Sequence, residues 1–148
     1  MKKVILSFVL VLGSLSLVNA QQNAIGLKLG TGAELSYQRD LSDANRLEFN
    51  LGLHGLDFDN PYLGLSGFYQ WVWDLSGLAP GFKWYAGAGA GLGLQNSKFA
   101  LAVLGNIGIE YNFGIPLQIA LDYTPGLQIV PDTGFDGDRF RFAIRYKF

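Results

Sequence analysis

Residues 139–148 read RFRFAIRYKF, a stretch in which basic and apolar residues alternate almost strictly. Successive side chains of a β-strand point to opposite faces, so a strand separates the two kinds of residue, whereas a helix would mix them around its axis. The stretch therefore predicts a two-faced strand. Its apolar face carries Phe140, Phe142, Ile144, Tyr146 and Phe148, and its basic face carries Arg139, Arg141, Arg145 and Lys147.

The same two-residue period recurs in seven segments further upstream. Each has one apolar face and one polar or glycine-rich face, and turn-forming residues separate the segments. This pattern predicts an all-β chain of eight antiparallel strands. The seven segments are AIGLKLG (24–30), GAELSYQR (32–39), RLEFNLGLHG (46–55), LGLSGFYQWVWD (63–74), KWYAGAGAGLGLQ (83–95), FALAVLGNIGIEYNF (99–113) and LQIALDYT (117–124).

The composition is apolar, yet no long apolar run follows the N-terminal segment. Hydrophobic residues make up 49% of the chain and charged residues only 16%. There is no cysteine, which excludes disulfides, thiolate metal sites and a thiol nucleophile. The formal net charge is −1, so no nucleic-acid partner is expected.

The first twenty residues have the layout of a cleavable secretory signal peptide. A basic MKK start precedes the apolar stretch VILSFVLVLGSLSLV, and VNA ends on the small residue Ala20. That stretch is short for a membrane-spanning helix of about 20 residues, which argues against a transmembrane anchor. We expect residues 1–20 to be removed and residues 21–148 to form one domain.

Eight two-faced strands can close into a barrel in two ways. A secreted, soluble barrel of the lipocalin type turns its apolar face inward around a ligand, whereas a transmembrane barrel turns that face outward into lipid. Glycines and charges of both signs on many strands suit a cramped interior, which favours the transmembrane arrangement. The expected polar network of the lumen comprises Lys28, Glu34, Arg46, Glu48, Lys83, Tyr85, Glu110, Asp122, Arg141 and Arg145.

Aromatic residues of the apolar face sort to one end of the predicted strands. With both termini in the periplasm, this end is the periplasmic one. Amphipathic rings form such a girdle where a transmembrane barrel meets the lipid headgroups. The predicted periplasmic girdle consists of Tyr37, Tyr69, Trp71, Trp73, Trp84, Tyr111 and Tyr146.

The signal peptide, the eight alternating strands and a last strand ending in Phe148 together resemble the small eight-stranded outer-membrane β-barrels of the OmpX and OmpA-transmembrane type. The resemblance covers the whole mature chain and is one of architecture, without a local motif. It implies an up-and-down antiparallel transmembrane β-barrel in the outer membrane of a Gram-negative bacterium. The longest outer loop is predicted over residues 125–137, and the first and third, TG and QNS, are shorter than is usual in that family.

The resemblance also implies partners. These are outer-membrane lipid and lipopolysaccharide around a monomeric barrel, and the barrel-assembly machinery and periplasmic chaperones during biogenesis. The outward residues of the last strand resemble the signal by which such barrels are recognised for assembly. The residues of this predicted signal are Phe140, Phe142, Ile144, Tyr146 and Phe148.

An eight-stranded barrel is just wide enough for side chains to fill its interior. The resemblance therefore implies a filled lumen rather than an open porin, and nearly balanced charges suit mutual pairing within it. The expected role is structural or envelope-protective and non-enzymatic, without a cofactor or metal. A proton or ion path through the lumen is a less favoured alternative.

Two chemical alternatives depend on a few residues. Some small outer-membrane barrels modify lipid A, but the only histidine, His54, has no serine two residues after it, and Ser66 lies on the next strand. Acidic outer loops bind Ca²⁺ in some proteins, but these lack the full twelve-residue pattern with its terminal glutamate, and turn-forming aspartates explain them. The acidic loop residues are Asp57, Asp59, Asp132, Asp136 and Asp138.

The fifth predicted strand carries glycines at every second position from Gly87 to Gly93. A phosphate-binding loop needs its third glycine three residues after the second, which excludes that motif. In a barrel the glycines form a bare stripe on the lumen wall, and glycine within a strand often marks close approach by another group. We expect the stripe to make room for bulky lumen residues such as Phe68, Arg141 or Arg145.

The transmembrane barrel and the soluble lipocalin-type barrel differ in where the protein is found. We expect it to fractionate with outer membranes, to need detergent for extraction, and to migrate at a heat-modifiable position in gel electrophoresis. Recovery in a soluble periplasmic or medium fraction would favour the secreted soluble barrel.

Overall fold

The structure is a computed structural model that describes residues 22–54, 62–95 and 97–148. The predicted signal peptide, residues 1–20, lies outside these residues. Within the described ranges there is no helical segment with the length and hydropathy of a membrane span. The strands are β1 (Asn23–Leu29), β2 (Gly32–Asp40), β3 (Asn45–His54), β4 (Tyr62–Asp74), β5 (Phe82–Gln95), β6 (Lys98–Asn112), β7 (Leu117–Tyr123), β8 (Gly126–Val130), β9 (Gly134–Asp136) and β10 (Phe140–Lys147).

The strands form a closed antiparallel barrel. Strands β1 to β6 pair in chain order, β6 pairs with β7, β7 with β10, and β10 returns to β1. The ring therefore has eight staves, with neighbours in the chain paired side by side, because β8 and β9 extend two staves that are already counted. This confirms the predicted all-β, eight-stranded, up-and-down antiparallel barrel.

The seventh and eighth staves are each built from two strand segments. Strand β8 follows β7 in the chain and pairs with the same strand, β6. Strand β9 precedes β10 and pairs with β8, as β10 pairs with β7. Pro125, which lacks an amide proton, stands at the break, while the Thr124 amide still donates to the carbonyl of Arg139 at 2.9 Å. The prediction of a long outer loop over residues 125–137 is wrong, since most of that range extends the barrel wall as β8 and β9.

The apolar face of the wall points outward and the polar face points inward. Leu51 is 47% exposed and Leu121 is 52% exposed, whereas Glu48 and Gln70 are fully buried. A water-soluble protein buries its apolar side chains and exposes its charges. The distribution here is the reverse, as in a barrel whose outer surface faces lipid.

A few apolar side chains do point into the lumen. Phe68, Val72, Tyr85 and Leu104 are buried there beside small alanines. Val72 and Tyr85 form one cluster with Ala120 and Ala143. These side chains fill volume between the charged groups of the interior.

The seven residues of the predicted girdle lie in the half of the barrel nearest the β2–β3, β4–β5 and β6–β7 turns. Trp73 and Trp84 pair across β4 and β5 with stacked rings 4.2 Å apart. Tyr69 and Trp71 meet edge to face at 5.1 Å. The Tyr37 hydroxyl donates to the Asn23 amide oxygen at 2.9 Å, Tyr111 packs on Phe82 and Phe113, and Tyr146 is exposed beside Ile25.

The last strand shows its apolar residues on the outer surface. Phe140, Phe142, Ile144 and Tyr146 are exposed. Phe148 follows β10, and its backbone exchanges two hydrogen bonds with Asn23 at 3.1 and 2.9 Å. Their role in assembly stays a prediction.

The glycine stripe of β5 does make room for larger residues. A β-carbon on Gly89 would lie 2.8 Å from the Phe68 ring, and one on Gly87 would lie 2.9 Å from the Gln70 side chain. Phe68 is thus the neighbour that the sequence suggested. The other two suggested neighbours, Arg141 and Arg145, lie beside different glycines. Arg145 lies beside Gly26 of β1, and Arg141 lies beside Gly30 in the turn after β1.

Gly89→Ala is expected to lower the free energy of unfolding by about 1–3 kcal/mol, as overpacking does. Its β-carbon would come within 2.0 Å of the Gly67 carbonyl oxygen, which belongs to rigid backbone. Gly91→Ala is the matched control, because its nearest obstacle is the flexible end of Leu104 at 3.0 Å. The measurement is denaturant unfolding of both variants in the same detergent. Equal stability of the two would contradict the close approach at Gly89.

Candidate functional site

The lumen holds nine of the ten residues of the predicted polar network in buried positions. Lys83 differs, because it is half-buried and lines a cavity at the predicted periplasmic mouth. Arg139, expected on the basic face of the last strand, precedes β10 and pairs with Asp136 instead. The nine buried residues are Lys28, Glu34, Arg46, Glu48, Tyr85, Glu110, Asp122, Arg141 and Arg145.

Glu48, on β3, is the centre of the network. Its carboxylate forms ion pairs with Lys28 at 2.6 Å and with Arg145 at 3.3 Å. Its two oxygens together accept hydrogen bonds from side chains on five strands. The donors are Lys28 and Asn50 to Oε1, and Gln38, Gln70 and Arg145 to Oε2.

Lys28 links Glu48 to a second carboxylate across the lumen. Its ammonium group lies 2.7 Å from Asp122 on β7. Asp122 also accepts from the Tyr85 hydroxyl at 3.0 Å and from the Thr124 hydroxyl at 3.3 Å. The negative charge of Asp122 is therefore held by one cation and two neutral donors.

A second ion pair lies toward the predicted periplasmic end. Arg46 pairs with Glu110 at 2.6 Å, donates from Nε to the Gln70 side-chain oxygen at 2.6 Å, and stacks its guanidinium 4.5 Å from the Tyr85 ring centroid. The Arg46 Nη2 atom is buried without a hydrogen-bond partner among the described residues. The guanidinium borders a polar cavity of about 220 Å³, where water can satisfy that donor.

Two further ion pairs lie toward the outer end. Arg141 donates from Nη1 to both oxygens of Glu34 at 2.6 Å. Above them, Arg139 donates from Nε to Asp136 at 2.5 Å. Partial burial alone would raise the pKa of Asp136, but the hydrogen bond and charge of Arg139 outweigh it and lower that pKa below its usual range.

Neutral amides and hydroxyls complete the network, and the sequence reasoning did not include them in it. Each lies at an inward position of its predicted strand, so the two-residue period itself was the available signal. The Gln70 amide, for example, donates to both Glu48 and Asn106, at 3.1 and 2.6 Å. The neutral members are Ser36, Gln38, Asn50, Gln70, Asn106, Gln118 and Thr124.

Two cavities occupy opposite ends of the lumen. The one at the predicted periplasmic end has a volume of about 220 Å³, and the one at the predicted outer end has a volume of about 380 Å³. Neither is lined by Glu48, Tyr85 or Arg145, which are almost fully buried between them. The centre of the ion-pair network, around Glu48, therefore lies between two cavities that are each large enough to hold water.

The residues of the chemical alternatives are only partly described. The His54 side chain, Asp57 and Asp59 lie outside what the structure describes. The Ser66 hydroxyl accepts from the Asn50 amide at 3.3 Å. In the described part of the chain, no three His, Asp or Glu side chains are grouped so as to hold a metal ion, Asp132, Asp136 and Asp138 included.

A closed eight-stranded barrel with an apolar exterior and a charged, hydrogen-bonded interior has the architecture of a transmembrane β-barrel. The chain is similar in structure to the outer membrane protein Ail of Yersinia pestis, solved in a phospholipid bilayer nanodisc. The match covers 88% of this chain and 100% of the Ail chain, with a TM-score of 0.54 and 16% sequence identity. It confirms the predicted likeness to small eight-stranded outer-membrane barrels at the level of the fold. No family model and no curated protein matches the chain.

Glu48→Gln is expected to lower the free energy of unfolding by about 3–5 kcal/mol, because it leaves a buried arginine without its carboxylate. Arg145 has its ion pair with Glu48. Asp136→Asn is the matched control, since it removes a partly exposed carboxylate whose ion pair contributes about 1 kcal/mol or less. Urea unfolding in one detergent measures both. Equal losses would contradict the central place of Glu48.

Proposed function

We propose that the protein is an integral outer-membrane β-barrel whose lumen, between its two end cavities, is filled by its own side chains, with a structural and envelope-protective role. The observation that carries this proposal is the reversed distribution of residues. Leucines and aromatics cover the exterior while the charges are paired inside. An exterior of this kind is unfavourable in water and favourable in lipid.

The outer membrane is the proposed location because closed barrels of this size with apolar exteriors span that membrane. The likeness to Ail supports the same location. The girdle around Trp73 and Trp84 supplies stacked amphipathic rings suited to one lipid interface. The alternative of a secreted lipocalin-type barrel requires an apolar interior, and the described interior is charged.

The ion pairs argue for a closed lumen. Charges in a narrow space with little water are stable when paired, and five cation–carboxylate contacts bind the interior residues to one another across the barrel. Opening a water-filled path would require these pairs to separate. We therefore infer neither porin activity nor catalysis, and no cofactor.

The same proposal includes the partners expected of such a barrel. The exposed leucines of the wall contact outer-membrane lipid and lipopolysaccharide, and the protein acts as a monomer. Phe140, Phe142, Ile144, Tyr146 and Phe148 present the assembly signal to the barrel-assembly machinery after delivery by periplasmic chaperones. Export is by the signal peptide of residues 1–20.

Reconstitution into planar lipid bilayers tests the closed lumen. We expect no steady, large single-channel conductance, because the Glu48 network lies between the two end cavities. An open porin inserted into the same bilayer provides the positive control, and a heat-modifiable gel shift verifies that the sample is folded. A steady conductance of porin size would contradict the closed lumen while leaving the membrane location intact.

A further inference from the structure

The outer end of the lumen contains a cavity of about 380 Å³ that the ion-pair network does not fill. Small-molecule sites in proteins are concave, mostly apolar, and commonly about 300–1,000 Å³ in volume. Five strands contribute side chains or bare backbone to this cavity, and β8 and β9 raise its wall. The cavity therefore has the size and construction of a site for a small molecule.

One wall of the cavity is apolar and nearly free of side chains. Gly64, Gly91 and Gly93 on β4 and β5 and Ala100 and Ala102 on β6 line it. Because these residues have no side chain or only a methyl group, the wall is flat backbone that a planar apolar body can approach closely. The glycine stripe of β5 thus has two parts: Gly87 and Gly89 lie against the lumen residues, and Gly91 and Gly93 border the cavity.

The opposite wall is polar and charged. Arg139 and Arg141 line it together with two carboxylates, Glu34 and Asp136, while Lys98 borders the cavity from β6, on the side of Ala100 and Ala102. Arg141 is only 5% exposed. Within the described part of the chain, all the hydrogen bonds that it donates come from Nη1. A guanidinium has five N–H donors, so the Nε and Nη2 donors of Arg141 are not used by Glu34.

We propose that this outer vestibule binds a small organic monocarboxylate with a flat, apolar body. The carboxylate accepts hydrogen bonds from Arg141 and Arg139, whose remaining donors present the planar fork that carboxylates match. The body lies against the glycine and alanine wall, with the Leu104 side chain beside it. Among the described residues the lining carries three cations and two carboxylates, and one negative charge on the ligand balances this difference.

The test uses 2-naphthoate as the probe, with the isosteric neutral 2-naphthamide as its partner. The folded barrel is placed in nanodiscs of zwitterionic lipid, and empty nanodiscs correct for partitioning of each probe into the bilayer. Backbone amide chemical shifts are followed by NMR during titration. We expect saturable shifts with naphthoate at Gly91, Gly93, Ala100 and Ala102. Binding of the amide should be about tenfold weaker, a difference of about 1.4 kcal/mol, since the amide lacks the negative charge that strengthens hydrogen bonds from arginine.

Two variants separate the vestibule from unspecific binding. Gly91→Leu places a side chain in the cavity, and its nearest neighbour is the flexible end of Leu104, so folding is expected to survive. It should abolish the saturable shifts. Gly114→Leu, in the β6–β7 turn with nothing within 4 Å, is the matched control and should bind naphthoate as the parent chain does. A double variant, Glu34→Gln with Arg141→Gln, removes both charges of one pair and should weaken binding about tenfold.

Several results would overturn the proposal. Equal affinity for naphthoate and naphthamide would show that the vestibule does not select an anion. Unchanged binding by Gly91→Leu would place the probe elsewhere, as would shifts confined to the outer leucines of the wall. The absence of saturable shifts in the folded protein would show that the vestibule is not a carboxylate site. None of these results bears on conductance or membrane location.

Discussion

The Glu48 carboxylate has no contact with the exterior and accepts hydrogen bonds from five surrounding side chains. Burying a carboxylate is costly unless cations and donors replace the lost water. Strands β1 and β10, which are not paired with β3, therefore bring Lys28 and Arg145 to it, and Lys28 in turn is shared with Asp122. Once these charges occupy the interior, most inward positions near them are polar or very small, and side chains such as Phe68 and Val72 fill the space that remains.

The charged interior determines the character of the wall. Inward positions alternate with outward ones, so polar residues inside leave the outward positions for leucine, isoleucine and aromatic residues. Bulky lumen groups also require bare backbone beside them. A β-carbon on Gly108 would lie 2.6 Å from the Tyr85 ring, and one on Gly89 would collide with backbone and with Phe68. The glycine content and the aliphatic exterior thus have one common cause.

The two-residue period predicted the eight staves, their faces and most of the buried charges, because strand geometry alone determines which residues share a face. It did not predict which charges meet. Glu34 and Arg141 are 107 residues apart, and their contact depends on the closure of β10 onto β1. It also did not predict that Lys83 lies at the mouth of the lumen, since that depends on the stagger of the strands.

The outer segment 125–137 shows a different kind of failure. Its prolines, glycines and aspartates are typical of a loop, and this local composition led to the loop prediction. The length of the neighbouring strand β6 was given less weight. Strand β6 has 15 residues, of which β7 pairs with Ile107–Asn112 only. The hydrogen-bonding groups farther along β6 need another partner, and β8 supplies it. The two predicted segments already differed in length, 15 residues at 99–113 against 8 at 117–124, and this mismatch was the signal that the loop prediction left unused.

The central claim is that the wall turns its leucines to lipid and its charges to a closed interior. Magnetisation transfer from lipid acyl chains to leucine methyl groups, measured by NMR in nanodiscs, tests it without substitution. Transfer is expected to Leu51, Leu65 and Leu121, which are exposed, and not to Leu104, which is buried in the lumen. Transfer to Leu104 but not to the three outer leucines would contradict the claim.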